Sequence, residues 1–448
     1  MRLAVDLSLT SVLRSGAQGW RPAQLFRNGA QGVWYAPGQA GTLFLDAAGT
    51  QPVTMPGQPV ALMRDISGKR RHAIQATLAA RPTFAREPAG GRRNMLPANS
   101  ANIAQGANWS SLRVERAAAV ESATGEPAAI ITATVTDVNG AAAYPVNIPL
   151  AAGQYTMSAV VKGAGWIVLR PTVSSDFADA ALSWFNLGTG AAGTSQIGGG
   201  ASVFTATSSA ITAQGDGYLV RITFTLGTAA TISLRFYAVD GNNALSVTTG
   251  AAFRMEAPQL ETGAVRTAYQ RRVSAFDVTE AGQRSLHCLA FDGVDDFMAM
   301  ASAFAPAGAY TMTATRDASG FPGGLTFESA TPGASLVQSV STGLTANTSA
   351  NSISFAPSGW PSGLAGARRL DLVRVAGATS AQAWRNGVLA ENGITLAGNL
   401  IPMSAISRLG RAGTSGRFYG GVMIDRAITE VESQFLRRDL AYRGGIAL

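Results

Sequence analysis

The densest set of groups able to do chemistry in this chain is acidic: Asp292, Asp295 and Asp296, within the run F-D-G-V-D-D at 291–296. Carboxylates crowded on a tight turn, with backbone carbonyls beside them, suit a hard cation with oxygen ligands, and calcium is the ion of choice. They suit hydrolysis less well. Cleaving a glycosidic bond takes two carboxylates about 5 to 9 Å apart, whereas F-D-G-V-D-D reads first as a turn leading into an edge strand. Other catalytic material is scarce. His72 and His287 are the only histidines and Cys288 the only cysteine, which leaves little for a zinc site or a Ser/His or Cys/His nucleophile. The Gly198-Gly199-Gly200 run lacks the lysine and following helix of a phosphate cradle. The chain is therefore read as a non-enzyme, with calcium as the single cofactor to consider.

Binding chemistry has better candidates. A saccharide is held by aromatic faces against its C–H surfaces and a few polar side chains on its hydroxyls. G-F-P-G at 320–323 and G-W-P-S at 359–362 each lift an aromatic, Phe321 and Trp360, on a proline-stiffened turn. W-F-N at 184–186 and Y-A-V-D-G-N-N at 237–243 place Trp184 and Tyr237 near Asp240, Asn242 and Asn243. The candidate carbohydrate site is thus Trp360, Phe321, Trp184, Tyr237, Asp240 and Asn242. Two readings stay open, since Asp and Asn also serve ordinary hairpins and Leu182 and Leu187 beside Trp184 suit a buried strand. Trp34, Tyr155, Trp166, Phe224 and Phe236 lie in strand-like runs and are expected in the core.

What positions these residues follows from composition. With 51 glycines and 14% charged residues among 448, the chain fits many short strands joined by tight turns, an all-β class with room for two or three domains. The formal charge of +8 is carried almost wholly by arginine, Lys69 and Lys162 being the only lysines. Arginine doublets at 70–71, 92–93, 271–272, 368–369 and 437–438 are spread along the chain, whereas a nucleic-acid site would cluster them. They read as a mildly cationic surface able to attract acidic polymers. Cys288 cannot form an intrachain disulfide and reads as a small buried hydrophobe.

Local signals fill in the elements. Leu3, Val5, Leu7 and Leu9 alternate with polar or small residues, an extended arm at residues 1–19 suited to docking. Asp6 interrupts it and no small-residue cleavage site follows, so no signal peptide is read there. No apolar run reaches the roughly 18 residues that cross a membrane. Strand patterns recur at 127–135, 154–162, 165–170, 218–226 and 231–237. Asn386-Gly387 is a type I′ hairpin turn. One helix closes the chain, with a capping box at Thr429 and Glu432, an apolar stripe of Val431, Phe435, Leu436 and Leu440, and Gly444 to end it.

The segments S-G-K-R-R-H-A-I-Q (67–75), R-P-T-F (81–84) and F-D-G-V-D-D, with R-F-Y-G-G-V-M-I-D-R-A-I-T (417–429), resemble laminin-G-like or concanavalin-like sandwiches. In that family R-P-T is followed closely by F-D-G-x-D-D; here a whole domain's length intervenes, between Arg92-Arg93 and Arg271-Arg272. Glucanase versions of that fold carry E-x-D-x-E, which is absent. The intervening part, with Q-Y-T-M-S-A-V-V-K, G-D-G-Y-L-V-R and P-Q-L-E-T-G-A-V-R-T-A-Y, is similar to carbohydrate-binding-like jelly rolls of phage tail and spike proteins. Gln259 and Glu261 in its closing motif read as ties for the closing strand. The resemblance implies two β-sandwich (jelly-roll) domains, one discontinuous, with a short C-terminal helix: an arm at 1–19, a sandwich from 20–92 and 272–448, and an inserted module at 93–271. It further implies a receptor-binding head spike or tail fibre of a tailed phage or gene transfer agent. Such a protein is made in the bacterial cytoplasm, displayed on the virion surface, joined to other virion proteins by its arm, homo-oligomeric, and bound to host capsule or surface polysaccharide without nucleic acid or membrane insertion. A non-binding decoration protein and a capsular depolymerase are the alternatives.

Overall fold

R-P-T-F and F-D-G-V-D-D meet as neighbours. In the computed structural model the strands Thr83–Pro88 and Ser285–Asp292 lie side by side in one sheet, with the rings of Phe84 and His287 stacked 5.5 Å apart and Cys288 Sγ 3.8 Å from the Ala85 carbonyl oxygen. The structure describes residues 22–448 apart from 146, 201, 307, 318–326, 330–337, 341–342, 348–351, 356–367, 377–379, 396–405, 411–412 and 414. Two units result. One runs to Ala89 and resumes over Leu286–Leu448; the other is Gly90–Ser285.

The discontinuous unit is a β-sandwich. Its eight-stranded sheet runs in the order Val388–Thr395, Ser380–Arg385, Arg368–Val375, Tyr310–Asp317, Ser415–Ile424, Ser285–Asp292, Thr83–Pro88, with Gly32–Tyr35 also on Ser415–Ile424. A six-stranded sheet runs Leu43–Phe44, Leu62–Met63, Ala73–Ile74, Met298–Phe304, Ile406–Leu409, Phe327–Ser329. Alternation sends Val33, Tyr35, Met312, Val373 and Met423 inward, where they join Met63, Met298, Ile406 and Leu409 of the second sheet in one core. Met298–Phe304 sits between two partners, so the strand after F-D-G-V-D-D is internal rather than at the edge the sequence suggests.

The intervening residues, Trp34, Leu370, Leu372, Val422 and Ile424, point to the opposite face, which the C-terminal helix Glu430–Gly444 seals with Leu436, Leu440 and Ala441. The capping box forms as expected, Thr429 accepting from the Glu432 amide. The helix stops at Gly445, whose φ of +63° is left-handed. Val431 departs from the expected stripe and is exposed. Asn386 and Gly387 have φ of +48° and +82°, as a type I′ turn requires.

Unit Gly90–Ser285 is a second, jelly-roll-like sandwich. A seven-stranded sheet runs Ala191–Ile197, Asp176–Asn186, Trp166–Val173, Ala230–Val239, Ala141–Pro145, Trp109–Leu112, with Ile148–Leu150 also on Ala230–Val239. Facing it, a six-stranded sheet runs Phe204–Gln214, Gly217–Leu226, Gly153–Lys162, Ala252–Thr262, Ala128–Ala133, Val114–Ala118. Ile167, Leu169, Leu234 and Phe236 of the first pack on Met157, Ile222, Phe224 and Met255 of the second. Among the described residues no helix is long and apolar enough to cross a membrane.

The ends of this unit are clasped together by P-Q-L-E-T-G. Gln259 accepts from the Gln270 amide at 2.8 Å, and Glu261 accepts from the Thr267 amide at 3.0 Å. Gln270 in turn accepts from the Arg93 amide at 2.6 Å, while Asn94 donates to the Gln270 carbonyl at 3.0 Å. Buried amides and carboxylates that each satisfy a backbone group stabilise the closing strand, so Gln259 and Glu261 have a structural role here.

Candidate functional site

The seven-stranded sheet of the jelly roll has a second face, and it decides the fate of two expected sugar contacts. Alternation opposite to the core presents Ala180, Leu182, Trp184, Val168, Tyr237 and Val239 on that face. Trp184 and Tyr237 are each only 1% exposed, and neither can offer a ring to a sugar. W-F-N is the end of the strand Asp176–Asn186 rather than a turn. A short loop after Val239 folds over the two rings: the Trp184 indole donates to the Ala244 carbonyl at 2.7 Å, and the Asp240 amide to the Ser246 carbonyl at 2.9 Å. Asp240 and Asn242 stay exposed. Their side chains brace the loop: Asp240 accepts from the Thr248 amide at 2.8 Å, and Asn242 accepts from the Thr194 amide at 2.9 Å and donates to the Thr194 hydroxyl at 3.1 Å.

Further along the same face the surface changes character. Arg170 and Arg235 are directly opposite on the adjacent strands Trp166–Val173 and Ala230–Val239. The Arg235 guanidinium lies 4.7 Å from the Tyr144 ring and 4.3 Å from the Phe177 ring. It donates to Ser233 Oγ at 3.3 Å and to Tyr237 Oη at 3.1 Å. Arg170 lies over the Tyr237 ring at 5.9 Å and donates to the Phe177 carbonyl, while its Nε is buried with no partner. Arg235 is 8% exposed and Phe177 49%, so an open aromatic face stands beside a desolvated cation. Sequence reasoning passed over this site. Its signal is present, however: L-R-P-T (169–172) and L-R-F-Y (234–237) each put an arginine at a position where alternation places it on a sheet face.

The acidic turn of the other unit holds together as a cluster. Oxygens of Asp292, Asp295 and Asp296 all lie within 4.8 Å of one another. Gly293, at φ +88°, allows the sharp turn; the Asp292 amide donates to Asp296 Oδ2 at 2.8 Å and the Val294 amide to Asp292 Oδ1 at 2.8 Å. Burial, together with the charges of Asp292 and Asp295, pushes Asp296 up to about 6. A cation with oxygen ligands would relieve that repulsion, so the donor set fits calcium. Phe321 and Trp360, and with them G-F-P-G and G-W-P-S, lie outside the described residues.

Comparison with known proteins adds little to this geometry. No protein-family model matches the chain, and no curated protein does. Among solved structures, Trypanosoma rangeli sialidase in complex with the inhibitor DANA is 12% identical, covering 85% of this chain and 68% of that one with a TM-score of 0.26. The same sialidase in complex with sialic acid is 13% identical, covering 74% and 63% with a TM-score of 0.25. In that second comparison the chain spans less than two thirds of its neighbour's length.

Proposed function

We propose that this protein is a virion-surface adhesin, a head spike or tail fibre of a tailed phage or gene transfer agent, that holds host capsule or surface polysaccharide. The reading rests on the jelly-roll face where the half-exposed Phe177 ring and Tyr144 flank the Arg235 guanidinium, with Arg170 opposite it on the next strand. An apolar ring beside strong donors matches the C–H faces and hydroxyls of a sugar. The split R-P-T-F and F-D-G-V-D-D motif and the P-Q-L-E-T-G closure support it by resemblance. Residues 1–19 are the arm to other particle proteins, and calcium at Asp292, Asp295 and Asp296 steadies the turn.

The whole purified chain is expected to bind encapsulated cells and to lose most binding to capsule-deficient cells. Phe177→Ala should weaken adhesion by about tenfold, as truncating a stacked aromatic does, with little change in melting temperature because the ring is half exposed. Equal binding to both cell types would remove capsule as the receptor. A second reading, a decoration protein with no ligand, is favoured by the burial of Trp184 and Tyr237; it predicts no binding to either cell type and no effect of Phe177→Ala on particle attachment.

A further inference from the structure

We infer that the Arg170/Arg235 pair is a carboxylate-binding subsite, and that the saccharide this protein takes is acidic, a uronic-acid-containing glycan. The inference rests on the adhesin reading and narrows its ligand. Two arginines sit directly opposite each other on adjacent strands, an arrangement that like charges make unfavourable. Within 4.0 Å neither has a carboxylate among the described residues. Their protein partners are neutral: Ser233 Oγ, Tyr237 Oη and the Phe177 carbonyl. Several guanidinium donors are left over, and Arg170 Nε is buried with none.

A planar carboxylate takes two parallel N–H donors from a guanidinium, and in a partly dry setting such bonds are roughly twice as strong as neutral ones. The rings fix what carries that carboxylate. Phe177, 49% exposed, covers one side of Arg235 and turns its other side outward, where the C–H face of a pyranose can stack while its carboxylate reaches the guanidinium pair. A bare anion needs no such platform. A neutral sugar leaves the two charges uncompensated.

Binding of oligogalacturonate and alginate oligosaccharides to the whole chain, by calorimetry at fixed salt, tests this. Wild type should bind both and lose at least about tenfold in affinity when their carboxyls are reduced to alcohols. Arg170→Gln should lose a similar factor without a fall in melting temperature. Arg221→Gln, which removes the same charge from the other sheet, should stay within about twofold. Three results would overturn the inference: equal affinity for the carboxyl-reduced sugars, equal losses in Arg170→Gln and Arg221→Gln, or single-stranded DNA binding as tightly as the uronates through the same residues. No uronate binding by wild type would overturn it too. Adhesion to encapsulated cells is scored separately: if Arg170→Gln adheres as wild type does, the acidic-sugar subsite fails while the adhesin reading stands, and if wild type adheres to no cells the adhesin reading itself fails.

Discussion

Each sandwich carries a pair of arginines directly opposite one another on adjacent strands, and the two pairs are handled differently. In the discontinuous unit, Arg316 faces Arg369 across Tyr310–Asp317 and Arg368–Val375. There Asp371, almost fully buried, takes Arg316 at 3.0 Å and Arg385 at 2.8 Å. In the jelly roll, Arg170 faces Arg235 with hydroxyls, a carbonyl and rings around them. A buried guanidinium is costly unless charge or hydrogen bonds compensate it. In the first pair Arg316 has a counter-ion, Asp371, built in two positions beyond Arg369 on the facing strand; the second pair has an aromatic wall and an opening. Internal compensation marks a structural element, and its lack on an accessible face marks a place where an outside group can supply it.

The largest test of the contrast is Asp371→Asn. Burial works against the charged carboxyl, but Arg316 and Arg385 hold it below its usual range. Replacing it takes the shared carboxylate from two buried cations, and a loss of about 3 to 5 kcal/mol in urea unfolding of this unit is expected; a loss under about 1 kcal/mol would make the two arginine pairs equivalent. Trp184→Ala should cost the jelly roll about 3 kcal/mol, since the ring fills the small cluster on the sheet's second face. Unchanged melting with weakened adhesion would return Trp184 to the surface and undo the distinction between the closed and open ends of that face.

Asp296 is the reverse case, an anion short of cations. Its pKa, raised to about 6 from an unfolded value near 4, means that its stabilising contribution is complete below pH 4 and is lost as pH rises through 6. Asp296→Asn is therefore expected to raise stability at pH 7.5 by about 1 kcal/mol, with the gain shrinking toward zero at pH 4. Millimolar calcium should narrow the difference by stabilising wild type alone; a gain that does not vary with pH would show that repulsion is not its source. The smallest effect belongs to Arg170→Gln, where relieving the cross-strand repulsion should stabilise by about 0.5 kcal/mol. A loss of more than about 1 kcal/mol would show that Arg170 is as internally compensated as Arg316.

Much of the fold was legible in the chain because period-two alternation and turn residues are local signals. Gln154 to Lys162, Tyr218 to Leu226 and Thr231 to Tyr237 were readable as strands, and Thr429, Glu432 and Asn386-Gly387 announced their caps and turn. The strands Ala191–Ile197 and Phe204–Gln214 were not, for they consist mostly of Ala, Gly, Ser and Thr, whose small side chains leave little contrast between faces. The site was harder. Trp184 and Tyr237 could be read as sugar-facing aromatics because nothing local tells that the loop at 240–246, 60 residues from Trp184 at its Ala244 contact, folds over both. Arg170 and Arg235 stand far apart in sequence, and only strand register shows that they are opposite. Cys288 was legible as a buried hydrophobe, since an apolar strand around a lone thiol leaves it few other places.

The clasp at Asn94, Gln259 and Gln270 has a consequence for the order of folding. Thr83–Pro88 and Ser285–Asp292 must pair across everything between them, and closing a chain loop costs entropy that grows as the logarithm of its length. Once the jelly roll has formed, its two ends are held side by side, and the effective loop shrinks by about tenfold, which lowers that cost by roughly 2 kcal/mol. Early closure of the inner module thus speeds assembly of the outer one, and a mutation that loosens Gln270 slows the appearance of a sheet in which Gln270 takes no part.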